Sequence, residues 1–162
     1  MWNHFVHNLG FKNTYKNGEI VGFQFKWTIP YYRGIFVSCL SSYISLKVDG
    51  VEYDPNSLTL KFGERLVPWS KIDQAKDVFW PYGTYCTMFV EKPGGLKEGL
   101  HTIELADCIR KSYGDLHVEP QYQYIYNGGV GGGRANDDPV PSATNTRGGE
   151  IRRCTKEMIL VM

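Results

Sequence analysis

No stretch of this 162-residue chain is long and apolar enough to cross a bilayer as a helix, a crossing that takes about 20 such residues. A surplus of one charge is missing too: 18 Lys and Arg stand against 17 Asp and Glu, a net charge of +1. Without a basic field nothing draws the chain onto a phosphate backbone, so neither nucleic acid nor a membrane is an expected partner. Cysteine is sparse, and Cys39, Cys86, Cys108 and Cys154 stand 47, 22 and 46 positions apart. That spacing contains no Cys-x-x-Cys pair to organise zinc or a redox couple. Free thiols are expected, with Cys39 and Cys86 packed as small apolar side chains. Residues Met1 to Asn17 lack the apolar stretch of a signal sequence, and the expected location is cytoplasmic.

Catalytic signatures are missing as well. There is no Gly-x-Ser-x-Gly elbow, no His-Glu-x-x-His and no pair of carboxylates on facing strands. No residue is therefore assigned a catalytic or metal-binding role. Gly128 to Gly133 has the glycines of an anion cradle, but Arg134-Ala135 stands where a phosphate loop needs Lys followed by Ser or Thr. His4 and His7 sit on a terminal segment with no third ligand and read as solvated. His101 shares a strand face with Ile103 and Leu105 and reads as a hydrogen-bonded structural histidine, and His117 reads the same way. Asn136, Asp137 and Asp138 lack the spacing of a calcium loop.

What the chain does have is alternation. Val21, Phe23, Phe25, Trp27 and Ile29 recur at period two, which predicts a strand over 19–29 that buries one face. Tyr43 to Val48 is followed by Asp49-Gly50 and Val51-Glu52-Tyr53, the signature of a two-residue hairpin. Leu58, Leu60 and Phe62 predict another strand, returning through Leu66, Val67 and Trp69 after a Gly63-Glu64 turn. Ser70 to Val78 supports one helical turn at most. Thr84 to Glu91, apolar on both faces, predicts a central strand, and 100–109, 118–126 and 150–162 predict three more. About eight two-faced strands with no long helix predict an all-β fold, an antiparallel β-sandwich or jelly-roll-like single domain over 1–162. Its strands fall in 18–126 and 150–162, and 127–149 is a Gly-rich loop. Aromatic residues, 14% of the chain, suit strand faces, interfaces and sugar platforms alike.

Five segments, in a resemblance that covers roughly Gly22 to Ser112, fall in a telling order. They are Tyr31-Tyr32-Arg33-Gly34, Leu46-Lys47-Val48-Asp49-Gly50, Asp77 to Gly83 with Trp80-Pro81-Tyr82-Gly83, Lys92-Pro93-Gly94-Gly95-Leu96 with Gly99-Leu100-His101, and Arg110-Lys111-Ser112-Tyr113. Together they resemble the small β subunit of bacterial C-glycoside deglycosidases. The resemblance implies a β-sandwich that forms a hetero-oligomer with a larger (β/α)-barrel α subunit. In that family the barrel carries the acid and base groups and a divalent metal, manganese, so no cofactor is expected in this chain. The implied reaction is a lyase step that breaks the carbon–carbon bond between a 3-oxo sugar and a flavonoid aglycone. A C-glycoside offers no exocyclic oxygen to protonate; oxidation at C3 instead acidifies the C2 proton, and a metal on the 3-oxo group stabilises the enolate.

On this reading the isolated chain is inactive. Tyr31, Tyr32, Arg33, Trp80 and Tyr82 are its candidate interface anchors, because Tyr, Trp and Arg dominate binding hot spots; turn packing is the competing role. Arg134, Asn136 and Asn145 are candidates to meet a 3-oxo-C-glycoside from a lid formed by the 127–149 loop. Two rivals remain: a stand-alone carbohydrate-binding β-sandwich module using Trp80 or Tyr122, Tyr124 and Tyr126 as a platform, and a purely structural assembly subunit.

Overall fold

The structure, a computed structural model, describes residues 5–29, 34–40, 43–109 and 150–161. The described strands are β1 (Val6–Lys16), β2 (Glu19–Thr28), β3 (Ile35–Phe36), β4 (Ile44–Val48), β5 (Val51–Tyr53) and β6 (Leu58–Phe62). They continue as β7 (Arg65–Pro68), β8 (Phe79–Trp80), β9 (Tyr85–Glu91), β10 (Gly99–Ile109) and β11 (Glu150–Leu160). One antiparallel sheet runs β1-β2-β9-β6-β7, a second runs β11-β10-β4-β5, and β3 and β8 make a short ribbon. The expected all-β antiparallel architecture is what forms.

Period-two alternation places the core. In β2, Phe23, Phe25 and Trp27 are buried while Gln24, Lys26 and Thr28 are half-exposed. In the other sheet Leu46, Ile103, Leu105, Met158 and Leu160 point inward, and the two sets merge into one hydrophobic core. At the predicted hairpin, Asp49 and Gly50 have φ of 53° and 80°, the paired positive angles of a type I′ turn, and Val48 registers on Val51. The Gly63-Glu64 hairpin also forms, joining β6 to β7. Trp69–Gln74 is a short 3₁₀ helix that buries Ile72, with Ala75 and Val78 buried just after it.

Two expectations need correction. β9 does lie centrally, between β2 and β6, but it buries only the Cys86, Met88 and Val90 face; Thr87 and Phe89 are half-covered. Strands are expected only from residue 18 on, yet Val6–Lys16 is an eleven-residue edge strand. Its register on β2 shifts between His7 and Lys12, where Gly10 takes a φ of 80°, so its buried residues Val6, Phe11 and Asn13 do not keep one phase. A bulge of this kind hides a strand from a search for strict alternation. The strand expected over 118–126 lies outside the described residues. Among those described, no helix is long and apolar enough to cross a membrane.

β9 sets the geometry that matters for function. Its seven residues, at about 3.3 Å each, hold its two ends about 20 Å apart. The Trp80–Thr84 turn sits at one end and the Lys92–Leu96 turn at the other.

Candidate functional site

Pro93 presets the φ of the first corner position after Lys92, and Gly94 supplies the φ of 82° that the next position of a type II turn demands. The Gly95 N–H closes the turn on the Lys92 carbonyl at 2.8 Å. Two further bonds dock it on β2: the Lys92 N–H donates to Val21 O and the Gly94 N–H to Ile20 O, both at 3.0 Å. Beneath it the buried Asn13 amide accepts the Leu96 N–H at 3.0 Å and donates to the Leu96 carbonyl at 2.9 Å. Gly95 is held so closely that a Cβ there would lie 2.5 Å from Asn13 Oδ1 and 2.6 Å from Ile20 Cγ2.

His101 stands beside this turn with both ring nitrogens occupied. Nδ1 lies 2.6 Å from Asp49 Oδ2, and Nε2 lies 2.6 Å from the Lys97 carbonyl. A carbonyl only accepts, so Nε2 carries a proton, and a carboxylate likewise favours a proton on Nδ1. Burial disfavours the charged ring, but the Lys97 carbonyl and the Asp49 carboxylate outweigh it and raise the His101 pKa. For Asp49, burial pulls upward, and the bonds from His101 and the Thr102 N–H, the latter 2.9 Å from Oδ1, carry the pKa below its usual value. The type I′ corner of the β4–β5 hairpin is thereby fastened to the start of β10. The ring of Phe11 meets His101 edge-on at 6.1 Å, so β1 closes the group from the other sheet. A cleft of about 400 Å³ opens between the Lys92–Lys97 turn, Asp49 and His101. The structural histidine expected at 101 is present, and its partner Asp49, together with the Asn13 amide that holds Leu96 in the neighbouring turn, is what sequence reasoning missed.

At the opposite end, Ile35 pairs with Trp80 and Phe36 with Phe79. A Cβ on Gly34 would lie 2.6 Å from the Trp80 carbonyl, so the backbone at Gly34 is pressed against Trp80. Trp80 is 1% exposed, with its ring 5.0 Å from Trp27 and 5.3 Å from Phe62, and its indole N–H donates to Thr84 O at 3.1 Å. Tyr82, two residues on, is 60% exposed. Of these two candidate anchors only Tyr82 presents its ring to the outside. Tyr31, Tyr32, Arg33, Arg134, Asn136 and Asn145 lie outside the described residues, as do His4, His117, Tyr122, Tyr124 and Tyr126.

His7 corrects a further expectation, since it is half-buried on β1 and not simply solvated. Its Nε2 lies 3.0 Å from Thr28 Oγ1, its ring meets Tyr85 edge-on at 4.8 Å, and burial followed by the charge of Lys156 lowers its pKa. Nearby, Asp107 and Arg152 form a buried, two-pronged ion pair, with Nε 2.8 Å from Oδ1 and Nη2 bonded to Oδ2. Arg152 also donates from Nη1 to the Thr28 carbonyl at 3.3 Å and stacks 4.2 Å from the Phe5 ring centre. All four cysteines are buried thiols, and burial pushes Cys39 and Cys86 far above the range where a thiolate forms.

Among the described residues no three His, Cys, Asp or Glu side chains converge as a metal site. The Asp49–His101 pair is two groups already spent on each other and on the backbone, so these residues do not fit a divalent ion. Compared with known proteins, residues 1–113 match the family described as C-glycoside deglycosidase beta subunit. The C-glycoside deglycosidase beta subunit of Eubacterium cellulosolvens is 32% identical over 109 residues, which cover 67% of this chain and 74% of that protein. The family match takes in both turn-bearing ends of β9 and stops short of β11.

Proposed function

This chain belongs to the C-glycoside deglycosidase beta subunit family, and we propose that it is the small, non-catalytic subunit of a hetero-oligomeric lyase that splits the carbon–carbon bond of 3-oxo-C-glucosides derived from flavonoid C-glycosides. One observation carries the non-catalytic part of this reading. Among the described residues, the His–carboxylate pair that lines a cleft, His101 with Asp49, has both ring nitrogens and both carboxylate oxygens engaged within the chain. A general base needs a free lone pair within reach of the proton it removes, and His101 has none to offer. In this reading the acid and base groups and the divalent metal, manganese, belong to a larger (β/α)-barrel partner. We place the assembly in the cytoplasm, where the four buried thiols stay reduced. The carbohydrate-module alternative loses one of its platforms, because Trp80 faces the core.

The test is to coexpress the chain with its larger partner, measure the mass of the product and assay a 3-oxo-C-glucoside. Turnover is expected from the complex and none from the isolated chain with or without manganese. Turnover by the isolated chain overturns the reading.

A further inference from the structure

We propose that the cleft at the Lys92–Lys97 turn is a carboxylate-binding docking site, and that the carboxylate is an acidic side chain on the larger subunit. This rests on the subunit reading above and adds where and by what chemistry the partner is held. Four observations converge on it.

The first is charge. Lys92, Lys97 and His101 line the cleft with Asp49, and Asp49 gives both its oxygens to His101 and the Thr102 N–H. The carboxylate is thus answered internally, while neither lysine has an ion-pair partner among the described residues. Glu91 and Glu98 are exposed and are not part of the lining. Two ammonium groups beside an internally balanced pair leave a cationic opening that favours an anion.

The second is shape. The volume of about 400 Å³ exceeds what a lone ion occupies, and Pro93, Leu96 and the lysine stems give an apolar floor on which the stem of a Glu or Asp can rest. The third is rigidity. The turn is pinned to β2 by two backbone bonds and to Asn13 by two side-chain bonds, so little ordering cost remains when a partner arrives. The fourth is placement: Lys92 to Leu96 and Gly99 to His101, which border the cleft, are among the segments that carry the family resemblance, and both fall within the matched residues.

The experiment uses the complete chain and the larger subunit, with the dissociation constant measured at low and physiological salt. Wild-type association is expected to weaken with salt, because charged contacts at an interface are screened. The double variant Lys92→Glu/Lys97→Glu is expected to bind at least tenfold more weakly and to lose most of that salt dependence, with the melting temperature of the isolated chain unchanged. Lys92→Gln/Lys97→Gln, which removes charge without reversing it, is expected to fall between the two and serves if the reversal does not fold. Lys61→Glu, on the outer face of β6, is the control and is expected to bind as wild type. A complex formed equally well by the reversed variant, with the same salt response, overturns the docking site while leaving the subunit reading intact. Failure of the wild-type chains to associate overturns both. Saturable binding of acetate to the isolated chain at these lysines, with unchanged partner affinity in the variants, assigns the cleft to a small free acid and overturns the partner assignment.

Discussion

Adjacent glycines at the Lys92–Leu96 turn are there for different reasons. Gly94 has φ of 82° and open space where a Cβ would project, whereas Gly95 has φ of 63° and a Cβ position already filled by Asn13 and Ile20. Gly94→Ala is expected to cost about 1–2 kcal/mol, the left-handed penalty alone. Gly95→Ala carries that penalty plus displacement of a buried amide and is expected to cost clearly more, which urea unfolding of the two variants will show. His101 makes the stability of the chain depend on pH. Its folded pKa is raised, so its bonds contribute fully below the unfolded value of about 6.5 and that contribution is lost as pH rises through the raised value. Asp49, with a depressed folded pKa, contributes above its unfolded value of about 3.9 and loses this as pH falls through the depressed value. The pair is therefore most stabilising between those limits. His101→Ala is expected to lower stability at pH 6 by about 2 kcal/mol and to flatten the decline in melting temperature between pH 6 and 9; an unchanged slope assigns that decline to other groups.

β10 and β11 pair along eleven residues each, from Gly99 on Leu160 to Ile109 on Glu150. Near the second end Arg152 ties this ladder to Asp107 and to the Thr28 carbonyl of β2, joining the two sheets through a charge buried to 4% exposure. Arg152→Met strands Asp107, which is 0% exposed, and is expected to cost about 3–5 kcal/mol, whereas Arg152→Met with Asp107→Leu is expected to recover most of it. Equal losses in the single and double variants remove the ion pair as the cause. The segment between these strands holds Arg134, Asn136 and Asn145. Replacing 127–149 with a short Gly-containing turn is expected to preserve the complex and lower its turnover; full kinetics in the shortened variant would remove those residues from any role toward substrate.

The chain offers a partner two distinct ends about 20 Å apart along β9, and a standard interface of about 800 Å² per side is broad enough to reach across that distance. Tyr82→Ala is expected to weaken association by about 1–3 kcal/mol if its ring is an anchor, with the melting temperature of the free chain unchanged because the ring is exposed. Trp80→Ala is expected to do the reverse: it empties a site between Trp27 and Phe62 and costs about 3–5 kcal/mol of stability. Titrating the larger subunit with each variant, alongside a thermal melt, separates the two roles.

Period two and turn chemistry made most strands and the Asp49-Gly50 corner legible in advance, because both are local: an alternating run faces two ways, and a residue with positive φ is chosen within its own turn. The motif segments were readable for the same reason, as short strings in a fixed order. Their direction was not. Whether Trp80 points to a partner or to Trp27 depends on β8 pairing with β3, a contact made 45 residues away in sequence. β1 escaped notice because the bulge at Gly10 shifts its phase, and Asn13 because its partner Leu96 lies 83 residues on. The cleft follows the same logic: Asp49 and His101 are 52 residues apart and carry no mutual signal until the hairpin and the start of β10 are folded side by side. Local sterics write the elements into the chain, while long-range packing alone sets which polar groups satisfy one another and which lysines are left to meet a partner.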